Sequence, residues 1–150
     1  MKKIPLPGGG YKVNMPDCVE YFNAAGQLHR EDGPAIECAN GNYVYCRNGL
    51  RHREDGPAVE WGDIEYYRNG LRHRWGGPAL ERANGDKLYY SHGQLHRDNG
   101  PAIEWANGDQ EYWLHGKKVH NIAELPGLTL DLEDALATDL STLILENLLR

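Results

Sequence analysis

Short segments in which apolar and polar residues alternate recur along most of the chain. One type starts with Pro-Ala, continues with an aliphatic residue and Glu, and reads PAIEC, PAVEW, PALER and PAIEW in successive copies. A second type carries aromatic residues and reads YVYC, IEYY, LYY and EYWL. Alternation with a period of two is typical of half-buried β-strands, so each pair of segments predicts two short strands.

Turn residues separate the two strand types in every copy, as ANGN, GD, ANGD and ANGD. Asn-Gly between two apolar runs is the strongest local signal for a two-residue hairpin turn. Counting outward from such a turn pairs Ile36 with Tyr45, Val59 with Tyr66, Leu80 with Tyr89 and Ile103 with Tyr112, with Phe22 at the matching place in the first, incomplete unit. We therefore predict that an aliphatic–aromatic ridge, continuous from repeat to repeat, forms the core.

A fixed period runs through these segments. Gly-Pro pairs begin at residues 33, 56, 77 and 100, at intervals of 23, 21 and 23 residues. Each is preceded by a His-Arg pair, and a turn glycine lies three residues before each histidine; the histidines are His29, His52, His73 and His96, followed by Arg30, Arg53, Arg74 and Arg97. A partial fifth copy spans 111–120. We predict a mainly β protein in which tandem antiparallel β-hairpin repeats over residues 19–120 form an elongated twisted sheet.

The residues on either side of the array have a different character. Residues 1–18 form a short N-terminal lead. In 121–150 the aromatic residues disappear, and leucines 132, 136, 140 and 143 follow the spacing of a helical stripe. We predict an acidic C-terminal α-helical segment that caps the open end of the array; dimerisation or partner docking through residues 128–150 is the alternative.

Charge and hydropathy argue against two classes of partner, and the cysteine count indicates the compartment. The net charge of -6 and pI of about 5.6 have the wrong sign for general phosphate binding, so we do not expect nucleic acid. Mean hydropathy is -0.69 and no apolar run reaches the ~18 residues of a membrane span, so we expect no membrane partner. Three cysteines do not form a disulfide framework, and we expect Cys18, Cys38 and Cys46 to be reduced thiols in the cytoplasm.

The repeat unit, exemplified by RNGLRHREDGPAVEW at residues 47–61, resembles MORN-type repeats, whose core is an aromatic residue, two further residues and Asn-Gly followed by a second strand. Its His-Arg-Glu-Asp-Gly-Pro-Ala form is similar to repeats of bacteriophage and bacterial proteins, including MORN-variant antitoxins. The resemblance covers about residues 19–120. It implies stacked antiparallel β-hairpins and a role in protein–protein contact, in the host cytoplasm if the protein is phage-encoded.

The recurring charged residues have a structural interpretation. A zinc site needs ligands within ~2.3 Å of one ion, whereas histidines one repeat apart lie on separate hairpins, so we expect no metal. We expect each histidine to pack on Gly-Pro or an aromatic residue and to hydrogen-bond the loop backbone. The predicted register sets Glu60 against Glu65 and Glu104 against Glu111, so a cation is needed nearby. We expect the arginine after each histidine to pair with Glu37, Glu60, Glu81 and Glu104, with phosphate binding as the alternative.

Residues that depart from the repeat are the better candidates for function, because stacking alone does not require them. Trp75 replaces the Glu of HRED, and Arg82 and Lys87 face each other across a turn in the predicted register. Arginines also follow or precede the Asn-Gly turns of the middle units. Because Trp and Arg dominate many protein interfaces, we predict a basic, aromatic-edged partner-binding patch. Its residues are Arg47, Arg51, Arg68, Arg72, Trp75, Arg82 and Lys87.

These observations favour a non-enzymatic protein-binding module that inhibits one macromolecular partner by occlusion, as an antitoxin or a phage counter-defence protein. Identical repeated units argue against a unique catalytic site, and no cofactor motif occurs, so we expect no catalytic residue and no cofactor. One alternative is a nucleotide-signal sponge, phosphodiesterase or nuclease that uses the His-Arg pairs. Another is a self-assembling structural protein that oligomerises through residues 128–150.

Overall fold

The computed structural model describes residues 2–120 and 125, and within them nineteen short β-strands. In chain order the strands are β1 (Lys3–Pro5), β2 (Tyr11–Asn14), β3 (Cys18–Phe22), β4 (Ile36–Cys38), β5 (Tyr43–Val44), β6 (Cys46–Arg47), β7 (Leu50–Arg51), β8 (Val59–Trp61), β9 (Asp63–Glu65), β10 (Tyr67–Arg68), β11 (Leu71–Arg72), β12 (Leu80–Glu81), β13 (Lys87–Leu88), β14 (Tyr90–Ser91), β15 (Gln94–Leu95), β16 (Ile103–Glu104), β17 (Gln110–Glu111), β18 (Trp113–Leu114) and β19 (Lys117–Lys118).

Each repeat contributes two strands to one long antiparallel sheet and two to a small hairpin of its own. The long sheet has eleven strands in the order β1-β2-β3-β4-β5-β8-β9-β12-β13-β16-β17. The small hairpins are β6–β7, β10–β11, β14–β15 and β18–β19. The prediction of a mainly β protein built from consecutive hairpins is confirmed at this level. The N-terminal lead also joins the sheet, because β1 and β2 extend it beyond the repeats.

Within residues 2–120 and 125, no helix is long and apolar enough to cross a membrane. The predicted helical cap and its alternatives, dimerisation or docking through 128–150, lie outside the described residues.

The predicted register of the sheet hairpins is wrong by one residue. Ile36 lies opposite Val44, Val59 opposite Glu65, Leu80 opposite Leu88 and Ile103 opposite Glu111. Because a slip of one residue changes every pair, Glu60 lies opposite Ile64 and Glu104 opposite Gln110. The expected Glu–Glu oppositions are therefore absent from these two hairpins.

The type of turn causes this one-residue difference between the predicted and observed registers. In the turn at Asn40-Gly41, only the glycine has a positive φ, while the Asn40 side-chain oxygen accepts a hydrogen bond from the backbone N–H of Asn42 at 3.0 Å. This side-chain bond stabilises a three-residue loop with the glycine in the left-handed position. The turns at Asn84 and Asn107 repeat this bond. The short repeat turns at Gly62 alone, between the paired Trp61 and Asp63.

Two-residue turns occur instead in the small hairpins. Their first residues have φ of 47 to 50° and their second residues, all glycine, have φ of 75 to 81°. Positive φ at both positions defines the type I′ turn, whose twist matches that of the flanking strands. The residue pairs are Asn48-Gly49, Asn69-Gly70, His92-Gly93 and His115-Gly116.

The core follows from the observed register. The alanine after each Gly-Pro is fully buried, and aliphatic residues face one another, such as Leu80 with Leu88 and Val44 with Val59. The predicted aliphatic–aromatic ridge is therefore wrong. Three of the tyrosines assigned to it, Tyr45, Tyr66 and Tyr89, pack under arginine side chains, as described below. In the first unit Tyr21, not Phe22, holds the matching position, because its carbonyl accepts the N–H of His29.

Cys18 and Cys38 lie directly opposite each other on β3 and β4 and form a disulfide. The expectation of three reduced thiols is therefore wrong for these two residues. Cys46 is a free thiol, and burial raises its pKa. Spacing along the chain could not reveal the bond, because the cysteines meet only when β3 and β4 pair.

Candidate functional site

Four equivalent loops connect each His-Arg pair to the following Gly-Pro, and we number them loops 1 to 4 (residues 29–34, 52–57, 73–78 and 96–101). In every loop the arginine guanidinium lies 3.8 to 4.2 Å from the ring centroid of a tyrosine on the preceding hairpin; the pairs are Arg30–Tyr21, Arg53–Tyr45, Arg74–Tyr66 and Arg97–Tyr89. Nη1 of the same arginine donates a hydrogen bond to the carbonyl of the loop proline at 3.1 to 3.4 Å. Each arginine therefore closes its own loop onto an aromatic ring.

This packing explains the glycine before each proline. A Cβ added at Gly33, Gly56 or Gly77 would lie only 2.9 to 3.0 Å from the guanidinium carbon of the loop arginine, and one at Gly100 would lie 3.2 Å away. None of these four glycines has a positive φ, so the requirement is for space and not for a special backbone conformation.

The same arginines reach across to the next hairpin. Arg30 pairs with Glu37 at 3.1 Å, Arg74 with Glu81 at 2.7 Å and Arg97 with Glu104 at 2.7 Å. These half-exposed ion pairs link consecutive repeats.

The second repeat differs. Arg53 does not form the expected ion pair with Glu60. It pairs with Asp55 at 2.9 Å, as Arg30 also does with Asp32 at 3.0 Å, and Glu60 interacts with the Tyr43 hydroxyl. Burial, followed by the hydrogen bond with Glu60, raises the pKa of Tyr43 to about 12.

The histidines link the loops to the small hairpins. In each case Nδ1 accepts a hydrogen bond from the backbone N–H of the first residue of the next type I′ turn, at 3.0 to 3.2 Å; the pairs are His29–Asn48, His52–Asn69, His73–His92 and His96–His115. Because Nδ1 is the acceptor, the proton of the neutral ring is on Nε2. Burial, with the nearby His92 and Arg68, lowers the pKa of His73.

The structure divides the predicted partner-binding patch into separate groups. Arg51 and Arg72 converge on Glu65 and the ring of Tyr67, where Arg72 places two nitrogens 2.7 and 2.9 Å from one Glu65 oxygen. The Glu65–Tyr67 cluster was not predicted, although Glu65 departs from the repeat: the equivalent strand position of the preceding unit holds Val44.

Arg82 and Lys87 do not face each other, which corrects the prediction from the two-residue turn. The one-residue change in register sets Arg82 opposite Asp86, with an ion pair of 3.3 Å between the side chains. Lys87 lies opposite Glu81 on one neighbouring strand and opposite Glu104 on the other. Both cations therefore lie beside acidic residues of the sheet.

Trp75, Arg68 and Arg47 remain on the loop side of the array. Trp75 is 78% exposed, the largest value among the exposed large hydrophobic residues of the described chain, and its ring meets His73 edge-on with centroids 5.0 Å apart. It separates two open grooves. Groove 2–3, between loops 2 and 3, has a volume of about 450 Å³ and includes Arg68 and Tyr66. Groove 3–4, between loops 3 and 4, has a volume of about 330 Å³ and includes Tyr89.

Loop 3 carries no acidic residue, unlike its neighbours. Loops 1 and 2 read HRED, loop 3 reads HRWG and loop 4 reads HRDN. In loops 1 and 2, hydrogen bonds from Arg30 and Arg53 lower the pKa of Asp32 and Asp55. Trp75 was recognisable from the sequence as a departure from the repeat. The loss of the second acid, at Gly76, and the packing of tyrosines under the arginines were not predicted.

Groove 1–2, between loops 1 and 2, has a volume of about 350 Å³. Its lining includes Arg47 and the acids of both loops. Across residues 2–120 and 125, no group of three or more potential metal ligands converges.

Comparison of the chain with protein-family models, with curated proteins and with solved structures finds no match.

Proposed function

We propose that this protein is a non-enzymatic protein-binding module that presents loop 3 to one partner and inhibits that partner by occlusion, as a phage counter-defence protein or a bacterial antitoxin would. The observation that carries the proposal is the 78% exposure of Trp75 in the middle of the array. A large aromatic side chain held in water by an otherwise regular repeat is typical of an interface anchor.

The energy available at Trp75 is sufficient to dominate an interface. A Trp side chain buries about 150–250 Å² when covered, and apolar burial contributes about 25 cal/mol per Å², so covering the exposed part of Trp75 contributes roughly 3–5 kcal/mol before entropic costs. The support beneath it is firm: Arg74, its chain neighbour, is held by Tyr66, the Pro78 carbonyl and Glu81. A preorganised anchor loses little entropy on binding.

The contacts of the His-Arg pairs favour a structural role over the enzymatic and nucleotide-binding alternatives. Each histidine Nδ1 is occupied by a backbone N–H, and each loop arginine contacts a tyrosine and a proline carbonyl. A ligand would have to displace these contacts.

The relationship to MORN-type repeats is also a proposal, supported by the repeat pattern and by the sheet of consecutive hairpins. Cytoplasmic location was inferred from reduced thiols, and the Cys18–Cys38 bond removes that support.

The test is affinity capture from bacterial lysate with the full chain and two variants, followed by mass spectrometry. Trp75→Glu restores the residue of loops 1 and 2, and the control Trp61→Arg brings in the residue of the next repeat at another exposed Trp. We expect the same stoichiometric partner with the natural chain and with Trp61→Arg, and its loss with Trp75→Glu. Equal recovery with Trp75→Glu contradicts the proposal.

A further inference from the structure

We propose that groove 2–3 binds a protein segment in which an apolar side chain lies next to a carboxylate. The inference rests on the proposed function and specifies the chemistry of the partner at the same site. It combines three observations: an apolar wall, an arginine that has no carboxylate partner among the described residues, and a local charge balance that differs from that of groove 1–2.

The apolar wall consists of Trp75 on loop 3, Pro57 on loop 2 and Tyr66, one face of whose ring is covered by the Arg74 guanidinium. Only Trp75 among them is largely exposed, so an incoming apolar side chain would cover the indole and rest against the proline. With a volume of about 450 Å³, the groove has room for one or two side chains of a partner.

Arg68 supplies the charge. Its Nη2 donates to the backbone carbonyl of Glu54 at 3.1 Å, which fixes the guanidinium at the groove, and it forms no ion pair with any described residue. The other two arginines of the groove are engaged, Arg53 with Asp55 and Arg74 with Glu81. The remaining N–H groups of Arg68 are therefore suited to bind a carboxylate through two parallel hydrogen bonds.

The charge balance distinguishes this groove from its equivalent one repeat earlier. Groove 1–2 is lined by three arginines and four acids, whereas groove 2–3 is lined by three arginines and two acids. The difference arises because Trp75 and Gly76 stand where loops 1 and 2 have Glu and Asp. An anionic group is therefore favoured in groove 2–3 and disfavoured in groove 1–2.

The same balance favours a single carboxylate over a polyanion. Glu54 and Asp55 line groove 2–3 beside Arg68, and the whole chain carries -6. A nucleic acid would place several phosphates against these acids, and binding would require many cations that the groove does not have. A protein segment with one carboxylate avoids this repulsion.

The experiment is selection of a random peptide library on four immobilised full-length proteins. They are the natural chain, Trp75→Glu, Arg68→Ser and the control Arg47→Ser, in which Ser is the residue of the third repeat, Ser91, at the equivalent position. We expect the natural chain and Arg47→Ser to enrich peptides with Asp or Glu next to Leu, Ile or Phe. Binding of these peptides should fall about tenfold or more in each of the other two variants.

Three results of the peptide selection overturn the inference: no peptide enriched over Trp75→Glu, enriched peptides that lack an acidic residue, or equal binding by Arg68→Ser. Tighter binding of a short oligothymidylate than of any selected peptide also overturns it and assigns the groove to nucleic acid. If partner capture depends on Trp75 but not on Arg68, this inference fails while the proposed function stands.

Discussion

The imidazole of His52 accepts a hydrogen bond at Nδ1 from the backbone N–H of Asn69, which begins the type I′ turn of the following repeat, at 3.1 Å. The two residues are 17 positions apart, and the same bond recurs at the other three histidines. Each histidine thus holds the next turn in place, which accounts for its strict position in the repeat. The bond also makes the array sensitive to substitution of these histidines.

Replacing His52 by Ala should destabilise the protein by about 1–3 kcal/mol, because the turn N–H of Asn69 loses its acceptor and the removed imidazole, whose side chain is 8% exposed, leaves its packing unfilled. Chemical denaturation followed by circular dichroism measures the free energy of unfolding. His120→Ala is the matched control: His120 is exposed and holds the arginine position of the last copy, so a change within about 0.5 kcal/mol is expected. Equal effects of the two substitutions would remove the assigned role of His52.

Acid should destabilise the array in part through His73. Because the pKa of His73 is lowered in the folded state, the unfolded state binds more protons below the ordinary value of about 6.5. The stabilising contribution is therefore complete above that value and decreases as the pH falls through the folded-state pKa. Urea unfolding at a series of pH values should show a steeper loss for the natural chain than for His73→Gln. Parallel pH profiles would contradict this.

Gly77→Ala should destabilise by about 0.5–1.5 kcal/mol, because the new Cβ would lie 3.0 Å from the guanidinium carbon of Arg74 and shift the arginine from its preferred position on Tyr66. The thermal midpoint and the urea midpoint both report the change. The control is the same substitution in an Arg74→Ala background, where we expect a smaller cost. If Gly77→Ala destabilises the Arg74→Ala variant as much as it destabilises the natural chain, the guanidinium is not the group that the new Cβ contacts.

Reduction of the Cys18–Cys38 disulfide should lower the free energy of unfolding by about 3 kcal/mol, given the sequence separation of 20 residues. Urea unfolding with and without a thiol-free reductant measures this change in the free energy of unfolding. The Cys18→Ala/Cys38→Ala double variant should be as unstable as the reduced protein and insensitive to reductant. If the reductant leaves the free energy of unfolding of the natural chain unchanged, the result contradicts the Cys18–Cys38 disulfide.

The turns of the repeat show which structural features the local sequence predicts and which it does not. Asn-Gly predicted a turn correctly at both kinds of site, and at Asn48 and Asn69 the turn has two residues. At Asn40 the same dipeptide forms a three-residue loop, because Asn40 uses its side chain to bond the backbone of Asn42. Both conformations are available to Asn-Gly, so the dipeptide alone does not select between them. The strand pairing on either side does.

The one-residue difference in register changed the neighbours of two predicted site residues, Arg82 and Lys87. The sequence placed Arg82 opposite Lys87 and counted both in a basic, aromatic-edged patch, whereas the observed register sets each beside an acid. Trp75 was identified because a departure from a repeat is visible without any knowledge of register. Arg68 was identified as one of seven candidates, and only its contacts distinguish it from the ion-paired Arg51 and Arg72.

The sequence by itself determined the repeat period, the alternation of strands and turns, and the departure at Trp75, because each of these depends on residues close together in the chain. Only the tertiary structure decided the hairpin register, the Cys18–Cys38 bond and the packing of arginine on tyrosine. These depend on which strands become neighbours, and pairing energies between distant segments, rather than local propensity, select among registers that the turns permit.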